Sequence, residues 1–195
     1  FAGREADVMA TWDSPRQREA YTWFTLELPN LRAAFRWAAD NRDLDTATSI
    51  AIYASFLGSL VEQHEPVAWA EEMIEPAKAA EHRRLAQLYA VAAECHEAGR
   101  FEDFLRYAAA GEAAIESGRF DPIPDLFETM VASGYLTSGQ PERCIEFCHT
   151  LIARQPGPHA YATVFLVLGL TLVGAVDEAI AASEGFLAEA DTEYH

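Results

Sequence analysis

Cys144 and Cys148 are the residues whose type and spacing come closest to a chemical site. A separation of four residues places both thiols on one face of a helix, one turn apart. Two thiolates are half of a zinc site, but the neighbouring His149 lies roughly 100° away around the helix. Both cysteines also fall on apolar core positions. We therefore interpret them as buried structural residues, and the sequence predicts no metal site.

Histidines and paired carboxylates are the remaining candidates for chemistry. No catalytic triad or zinc motif emerges from the scattered histidines, for which exposure to solvent is the expected state: His82, His96, His149 and His159. General acid–base catalysis needs a pocket that shifts one carboxyl pKa. A solvated acidic face is the simpler interpretation of the carboxylate pairs, which are Glu71 with Glu72 and Glu112 with Glu116. The sequence thus predicts no catalytic residue, no cofactor and no enzyme; an unrecognised helical enzyme is the open alternative.

Large aromatic side chains are concentrated in the first third of the chain. They could line a ligand pocket, but large aromatics also dominate core energetics. We interpret them as the core between the leading helices: Trp12, Trp23, Phe24, Phe35, Trp37 and Trp69.

The charge balance restricts the partners. The 195 residues include 14 Lys and Arg against 31 Asp and Glu, a net charge of −17. Such a surface repels phosphate backbones and anionic lipid headgroups, so neither nucleic acid nor a membrane is an expected direct partner. A cationic peptide or basic protein surface is easier to accommodate. The simpler interpretation is that the acidic residues keep the chain soluble.

The cysteine count and the longest apolar run indicate the compartment. Three cysteines are too few and too irregular for a disulfide framework, which favours reduced thiols and a cytoplasmic location. No signal peptide precedes the first predicted helix. The run from Ala160 to Val176 is short for a membrane span and contains two glycines, so we interpret it as a buried helix. The initial Phe1 suggests a piece of a longer protein.

Helical periodicity runs through most of the chain. Alternating β-branched runs and Asn-Gly or Asp-Gly turns are absent from the sequence, whereas apolar residues recur every three or four positions. A helix is predicted to begin at Ser14-Pro15, and Pro29 starts or kinks a second one over Asn30 to Ala39. Pro66 opens a helix, and the others are predicted at 44–61, 82–98, 101–117, 123–138, 141–154, 158–173 and 177–190. Short loops make neighbouring helices antiparallel.

Three glycines mark a repeat. Gly99, Gly139 and Gly174 stand 40 and 35 residues apart, and a small core residue follows the last two after five positions, at Cys144 and Ala179. Phe104 takes the same position after Gly99, which predicts a splayed or shifted hairpin there. With core positions matching upstream, this pattern resembles a degenerate tetratricopeptide repeat over about residues 80–191. The resemblance implies an all-α fold, a right-handed stack of antiparallel helical hairpins, or α-solenoid.

A second resemblance lies near the start of the chain. Glu27-Leu-Pro-Asn-Leu-Arg-Ala-Ala-Phe-Arg-Trp37 resembles the segment that joins a signal-transduction ATPase to its repeats in large bacterial regulators, which carry LuxR-type DNA-binding or nucleotide-cyclase output domains. This implies that residues 1–42 connect an ATPase module outside the chain to repeats over 43–195. The sequence contains neither a P-loop nor a basic recognition helix, so ATP hydrolysis and DNA binding are not assigned to it.

The inner face of such a stack is the expected binding surface. First-helix residues that miss the hairpin core should line a groove, together with apolar neighbours such as Val164 and Leu168. The predicted ligand or peptide residues are Tyr89, His96, Glu97, Ser133, Thr137, Tyr161 and Thr171. The function implied is a non-catalytic sensor or scaffold that binds a protein segment or small effector and regulates the attached ATPase. The alternative is a homodimerisation or spacer module without a ligand.

Overall fold

The computed structural model describes residues 1–154 and 160–193, and within these ranges it contains helices and no β-strand. A short 3-10 turn, Ala2–Arg4, precedes the first helix. The α-helices are α1 (Glu5–Trp12), α2 (Gln17–Asp40), α3 (Leu44–Ser59), α4 (Glu65–Ala79), α5 (Leu85–Ala92), α6 (Phe101–Glu116), α7 (Asp125–Thr137), α8 (Pro141–Arg154), α9 (Ala160–Leu172) and α10 (Val176–Glu193). The prediction of an all-α fold is confirmed.

The helices pack in sequence order within two compact units, Phe1–Ile123 and Pro124–His195. In the first unit each helix packs against the next, and α3 also contacts α1 and α5. In the second unit α7, α8, α9 and α10 pack consecutively, and α7 also contacts α9. Short connections between packed neighbours give antiparallel hairpins. The boundary expected at residue 42, between leading helices and repeats, stays a prediction.

Helix α3 is the centre of the first unit. Every residue from Ala47 to Ser59 is buried, because α1, α2, α4 and α5 all pack on this helix. A helix that is apolar on all sides needs such complete enclosure. Its N-terminus is capped by Asp43, whose carboxylate accepts the Thr46 N–H at 3.2 Å.

Helix α2 corrects the prediction around Pro29. A new helix does not start there, since α2 continues from Gln17 to Asp40 through the proline. Proline removes one backbone hydrogen bond, but Phe24 and Leu31 on either side of it are fully buried. Because both side chains pack on the same face, the helix continues past the missing backbone hydrogen bond. Ser14 caps no helix; its hydroxyl instead accepts the Arg16 N–H at 3.1 Å in the preceding turn.

The predicted helix over 82–98 is also corrected. It is α-helical only in α5 and continues as a 3-10 segment, Ala93–Ala98. Phe104 of α6 is fully buried opposite this segment, with its ring edge-on to His96 at 5.5 Å between centroids. A 3-10 helix rises about 0.5 Å more per residue than an α-helix, so six residues shift the segment's end by about 3 Å. Phe104 thus packs against the 3-10 part of the segment, and the splayed or shifted hairpin expected there stays a prediction.

The turn glycines behave as the repeat pattern predicts. Gly99, Gly139 and Gly174 have φ values of +76°, +76° and +80° at helix ends, a left-handed conformation that glycine adopts without strain. In the described ranges no helix is long and apolar enough to cross a membrane. The expected start of the helix over 158–173 lies outside the described residues.

Candidate functional site

The face of α9 that points away from the core carries a stripe of exposed apolar side chains. Tyr161, Val164, Leu168 and Leu172 are 47%, 40%, 46% and 64% exposed. Their spacing of three and four residues places them on one side of the helix, where Thr171 is also exposed. Helix α9 contains no charged residue. We call Tyr161, Val164, Leu168, Thr171 and Leu172 the α9 stripe.

The opposite face of α9 is fixed against α8. Gly169 lies so close to α8 that a Cβ there would stand 2.9 Å from Ile145 Cγ1. The Cys144 thiol lies 3.6 Å from the Phe165 carbonyl oxygen. Ala162 and Leu166 complete the buried face. Because these contacts fix the rotation of α9, the stripe faces away from the core of its own unit.

The hydroxyls of the predicted groove residues of α7 donate hydrogen bonds to backbone carbonyl oxygens of the same helix. Ser133 Oγ donates to the Met130 carbonyl oxygen at 2.7 Å, and Thr137 Oγ1 donates to the Ser133 carbonyl oxygen at 3.1 Å. Thr137 is exposed and Ser133 half-buried. Ligand binding by Ser133 or Thr137 stays a prediction.

The predicted groove residues near α5 occupy a different environment from those of α9. Tyr89 is half-buried, and its Cβ would lie 3.4 Å from a methyl group placed on Gly111. The expectation that His96 faces solvent is wrong, because the 3-10 segment turns its ring inward and leaves it 5% exposed. Burial lowers the pKa of His96 to about 4, so the ring is neutral at physiological pH. Ligand binding by Tyr89, His96 or Glu97 stays a prediction.

A buried acidic cluster surrounds Glu94 on the same 3-10 segment. Glu94 is 3% exposed, and neither its Oε2 nor the buried Ser59 Oγ has a hydrogen-bond partner. Burial, with the nearby Glu97 carboxylate, raises the pKa of Glu94 to about 8. Burial also raises the pKa of Glu97, against the opposing effect of His64, whose Nδ1 lies 2.8 Å from Glu97 Oε2. Sequence reasoning missed this cluster because 30 residues or more separate its halves.

Two other pairs correct the sequence interpretation. Glu71 does not belong to a solvated face: its side chain is 16% exposed, and Arg100 Nη2 lies 2.7 Å from its Oε1. His82 is largely buried, and its Nε2 lies 2.9 Å from Asp45 Oδ1. Both partners are distant in sequence, so no local spacing indicates them. The first contact links α4 to the residue before α6, and the second links α3 to the loop between α4 and α5, so both stabilise packing.

The three cysteines are buried, as predicted. Cys144 Sγ and Cys148 Sγ are 4.0 Å apart, and neither side chain is exposed. Burial raises the pKa of Cys95 to about 12. The hydrogen bond with the Cys144 thiol, and then burial, raise the pKa of Cys148. Neutral buried thiols are poor nucleophiles and poor metal ligands. Among the residues whose positions are described, no three His, Cys, Asp or Glu side chains could together hold a metal ion.

Most of the early aromatics form core, as interpreted. Trp12 packs edge-on to Phe56 with centroids 5.0 Å apart, and Phe35 stacks on Trp69 at 5.1 Å. The exceptions are Trp37, at 62% exposed, and Trp23, which is half-buried. An open depression on α2 is lined in part by Trp23 and Leu26. It is shallow and carries both Arg and Glu side chains, so it resembles ordinary surface.

Comparisons with known proteins place the fold. No family model matches the sequence, and no curated protein is significantly similar to it. A solved structure with a similar fold is that of a kinesin light chain-like protein from Podospora anserina with nearly identical TPR-like repeats. The two chains share 15% identity, the match covers 99% of this chain and 96% of that one, and the TM-score is 0.62. At that identity the likeness shows the fold alone, a tetratricopeptide-like stack of antiparallel helical hairpins, as predicted.

Proposed function

We propose that this chain is a non-catalytic protein-interaction module that binds a segment of a partner protein along the α9 stripe. Tetratricopeptide-like stacks present helix faces on which protein segments dock. The observation that carries the proposal is the stripe itself, four exposed apolar side chains on an uncharged helix of a chain with net charge −17. Contiguous exposed apolar surface on a charged protein marks an interaction site more often than scattered single residues do.

The stripe determines what kind of segment would bind. Tyr161, Val164, Leu168 and Leu172 extend over three turns of α9, so a matching segment needs apolar side chains over a similar length. The Thr171 hydroxyl donates to the Val167 carbonyl oxygen at 2.7 Å and adds little directional recognition. Binding would therefore depend on apolar burial, which gives about 25 cal/mol for each Å² removed from water.

Within a larger protein, such binding would regulate an attached ATPase. The pattern Glu27 to Trp37 supports this step, since it resembles the segment next to the ATPase in bacterial regulators. Its arginines join α2 to α4, with Arg32 bound to Glu65 and Arg36 to Glu72. A bound partner that favours one packing arrangement of adjacent hairpins raises the population of that arrangement, and the neighbouring helices follow. A small effector could bias the same packing.

The test is a panning experiment on the full chain. Twelve-residue peptides from a random library are selected on the wild-type protein, and their affinities are compared with those for Leu168→Glu. We expect at least a tenfold loss, because the new carboxylate must be desolvated in the complex. Leu26→Glu is the matched control, since Leu26 is 72% exposed on α2. It should retain wild-type affinity, and thermal melting should show all three proteins folded.

Two results would contradict this assignment. Equal affinity of the wild-type and Leu168→Glu proteins for the selected peptides would move binding away from α9. A light-scattering mass of a dimer that Leu168→Glu, but not Leu26→Glu, reduces to a monomer would support the alternative function. In that case the exposed stripe is a homodimer contact and the module a spacer.

A further inference from the structure

The last two hairpin turns of the chain are equivalent position by position. Gly139 and Gly174 both adopt the left-handed conformation at the turn. Five residues later Cys144 and Ala179 are both buried, at 0% and 6% exposed. The helices α8 and α10 therefore begin in the same register. Pro141 corresponds to Val176, and Ile145 corresponds to Ile180.

On α8 these two positions hold another helix. A Cβ built on Gly169 of α9 would lie 2.9 Å from Ile145 Cγ1 and 3.4 Å from the Pro141 carbonyl oxygen. Helix α9 reaches α8 this closely because residue 169 has no side chain. Close approach of two helices through a small residue maximises the dispersion contacts on both sides. Pro141 and Ile145 thus form a seat for a helix that presents glycine.

On α10 the equivalent seat is open. Val176 and Ile180 are 57% and 51% exposed, whereas Pro141 and Ile145 are half-covered. The spacing of four residues places Val176 and Ile180 on one face of α10. That face carries the same apolar chemistry and the same register as the seat on α8. Within the described part of the second unit, the internal stacking surface therefore continues onto an exposed helix.

We propose that the Val176–Ile180 face of α10 is a docking surface for an amphipathic helix of a partner protein. The docking helix presents glycine or alanine opposite Ile180, because the equivalent contact at Ile145 leaves no room for a larger side chain. This surface lies on α10 whereas the stripe lies on α9, and the inference does not require the stripe to bind a ligand.

Charge decides between a partner helix and a second copy of this chain. Asp177, Glu178 and Glu184 are exposed on the same helix, and residues 124–195 include ten acidic and two basic residues. Pairing α10 with its own copy would bring these carboxylates together, which is repulsive. A helix with Lys or Arg beside its apolar face gains attraction instead. The structure thus favours a basic amphipathic helix over self-association.

The probe is a copy of α9 itself, since α9 already fits the equivalent seat. A synthetic peptide of residues 160–172, with two lysines added at each end and a fluorescein label, is titrated with the full chain and followed by anisotropy. We expect saturable binding that weakens at least tenfold for the Ile180→Glu and Val176→Glu proteins. A peptide carrying Gly169→Leu should lose affinity equally. The exposure of both residues leaves the melting temperature of the two variants near that of wild type.

Leu168→Glu separates this inference from the proposed function. It alters the α9 stripe and leaves the α10 seat intact, so it should bind the peptide as the wild type does. Absence of saturable binding to the wild type, or binding that Ile180→Glu and Val176→Glu leave unchanged, would overturn the inference. A wild-type dimer that Ile180→Glu dissociates would overturn it as well, because a second copy would then occupy the seat.

Discussion

The carboxyl of Glu94 is held out of water without a full set of hydrogen bonds. Its pKa is raised to about 8, mainly by burial, from a model-peptide value near 4.5. The groups facing it are the Glu97 carboxylate, the Ser59 hydroxyl and, beyond Glu97, the His64 ring. Between about pH 4.5 and 8 the folded state therefore binds more protons than the unfolded state. Stability must fall as pH rises through this window.

Glu94→Gln removes that proton uptake while keeping the side-chain shape. The wild type should lose up to about 1.4 kcal/mol of unfolding free energy per pH unit across the window. The variant should lack this loss, so its advantage over the wild type grows from pH 5 to pH 8. Urea unfolding at pH 5, 6.5 and 8 measures the difference. Parallel profiles for the two proteins would contradict a neutral buried Glu94, and Glu116→Gln, at an exposed site, provides the baseline.

His96 opposes Glu94 on the same segment. Burial lowers its pKa to about 4, so between about pH 4 and 6.5 the unfolded state binds more protons, and stability rises with pH there. The two effects offset each other up to about pH 6.5, and above it the Glu94 effect acts alone. Their opposite signs have one cause, since burial disfavours the charged form of either group.

Local sequence indicated some site residues and not others. Exposure of Tyr161 and Thr171 followed from helical period, because α9 is regular and its small and apolar core positions fix one face. The prediction that His96 is exposed failed because the 3-10 segment changes the angular position of each residue around the helix axis. A period of 3.6 residues per turn does not anticipate this change. The pairing of Glu71 with Arg100 depends on residues 29 positions apart. Only the tertiary fold brings such groups together.

The same contrast applies to whole helices. Turn glycines and apolar period located nearly every helix, because both act over a few residues. The sequence left open whether Pro29 starts a new helix or kinks a continuous one, since a propensity cost of about 3 kcal/mol outweighs the local signals. Burial of Phe24, Leu31 and Phe35 offsets that cost. Helix α1 was missed; its contacts with α3 and the bidentate pair of Glu5 with Arg84 stabilise it from outside.

Two helical glycines of the first unit should respond to alanine with opposite signs. A Cβ on Gly58 in α3 would clash with the Gln63 carbonyl oxygen. That backbone is held by the Gln63 N–H donating to the Gly58 carbonyl oxygen at 2.8 Å, so it has little freedom to move. Gly58→Ala should therefore lower the unfolding free energy by about 2 kcal/mol or more. Gly111→Ala meets only Tyr89 Cβ at 3.4 Å and should raise stability by up to about 1 kcal/mol.

Urea unfolding of the two variants beside the wild type gives both values. Equal destabilisation would show that both sites resist an added methyl group, so that the close approach of Gln63 is not what distinguishes Gly58 from Gly111. A gain at both positions would mean that the turn after α3 relaxes freely. The comparison is matched because both glycines are buried and lie inside helices of the same unit.

At the scale of the whole chain, charge is distributed unevenly. Residues 1–42 contain six acidic and six basic side chains, so the net charge of −17 arises entirely from residues 43–195. Repulsion among many like charges destabilises a compact state. Ion pairs act in the opposite direction, but pairs such as Arg36–Glu72 are nearly half exposed and contribute little. Repulsion should therefore outweigh attraction in the response of the protein to salt.

Added salt should raise the melting temperature. Going from about 0.1 M to about 1 M sodium chloride shortens the Debye length from about 10 Å to about 3 Å, which screens repulsion between neighbouring surface carboxylates. We expect an increase of at least about 3 °C by calorimetry. A variant with Glu116→Gln, Glu146→Gln and Glu184→Gln changes three exposed sites outside the first turns of their helices. It should melt higher than the wild type at low salt and converge with it at high salt. A melting temperature that falls with salt would mean that the ion pairs, and not the net charge, control stability.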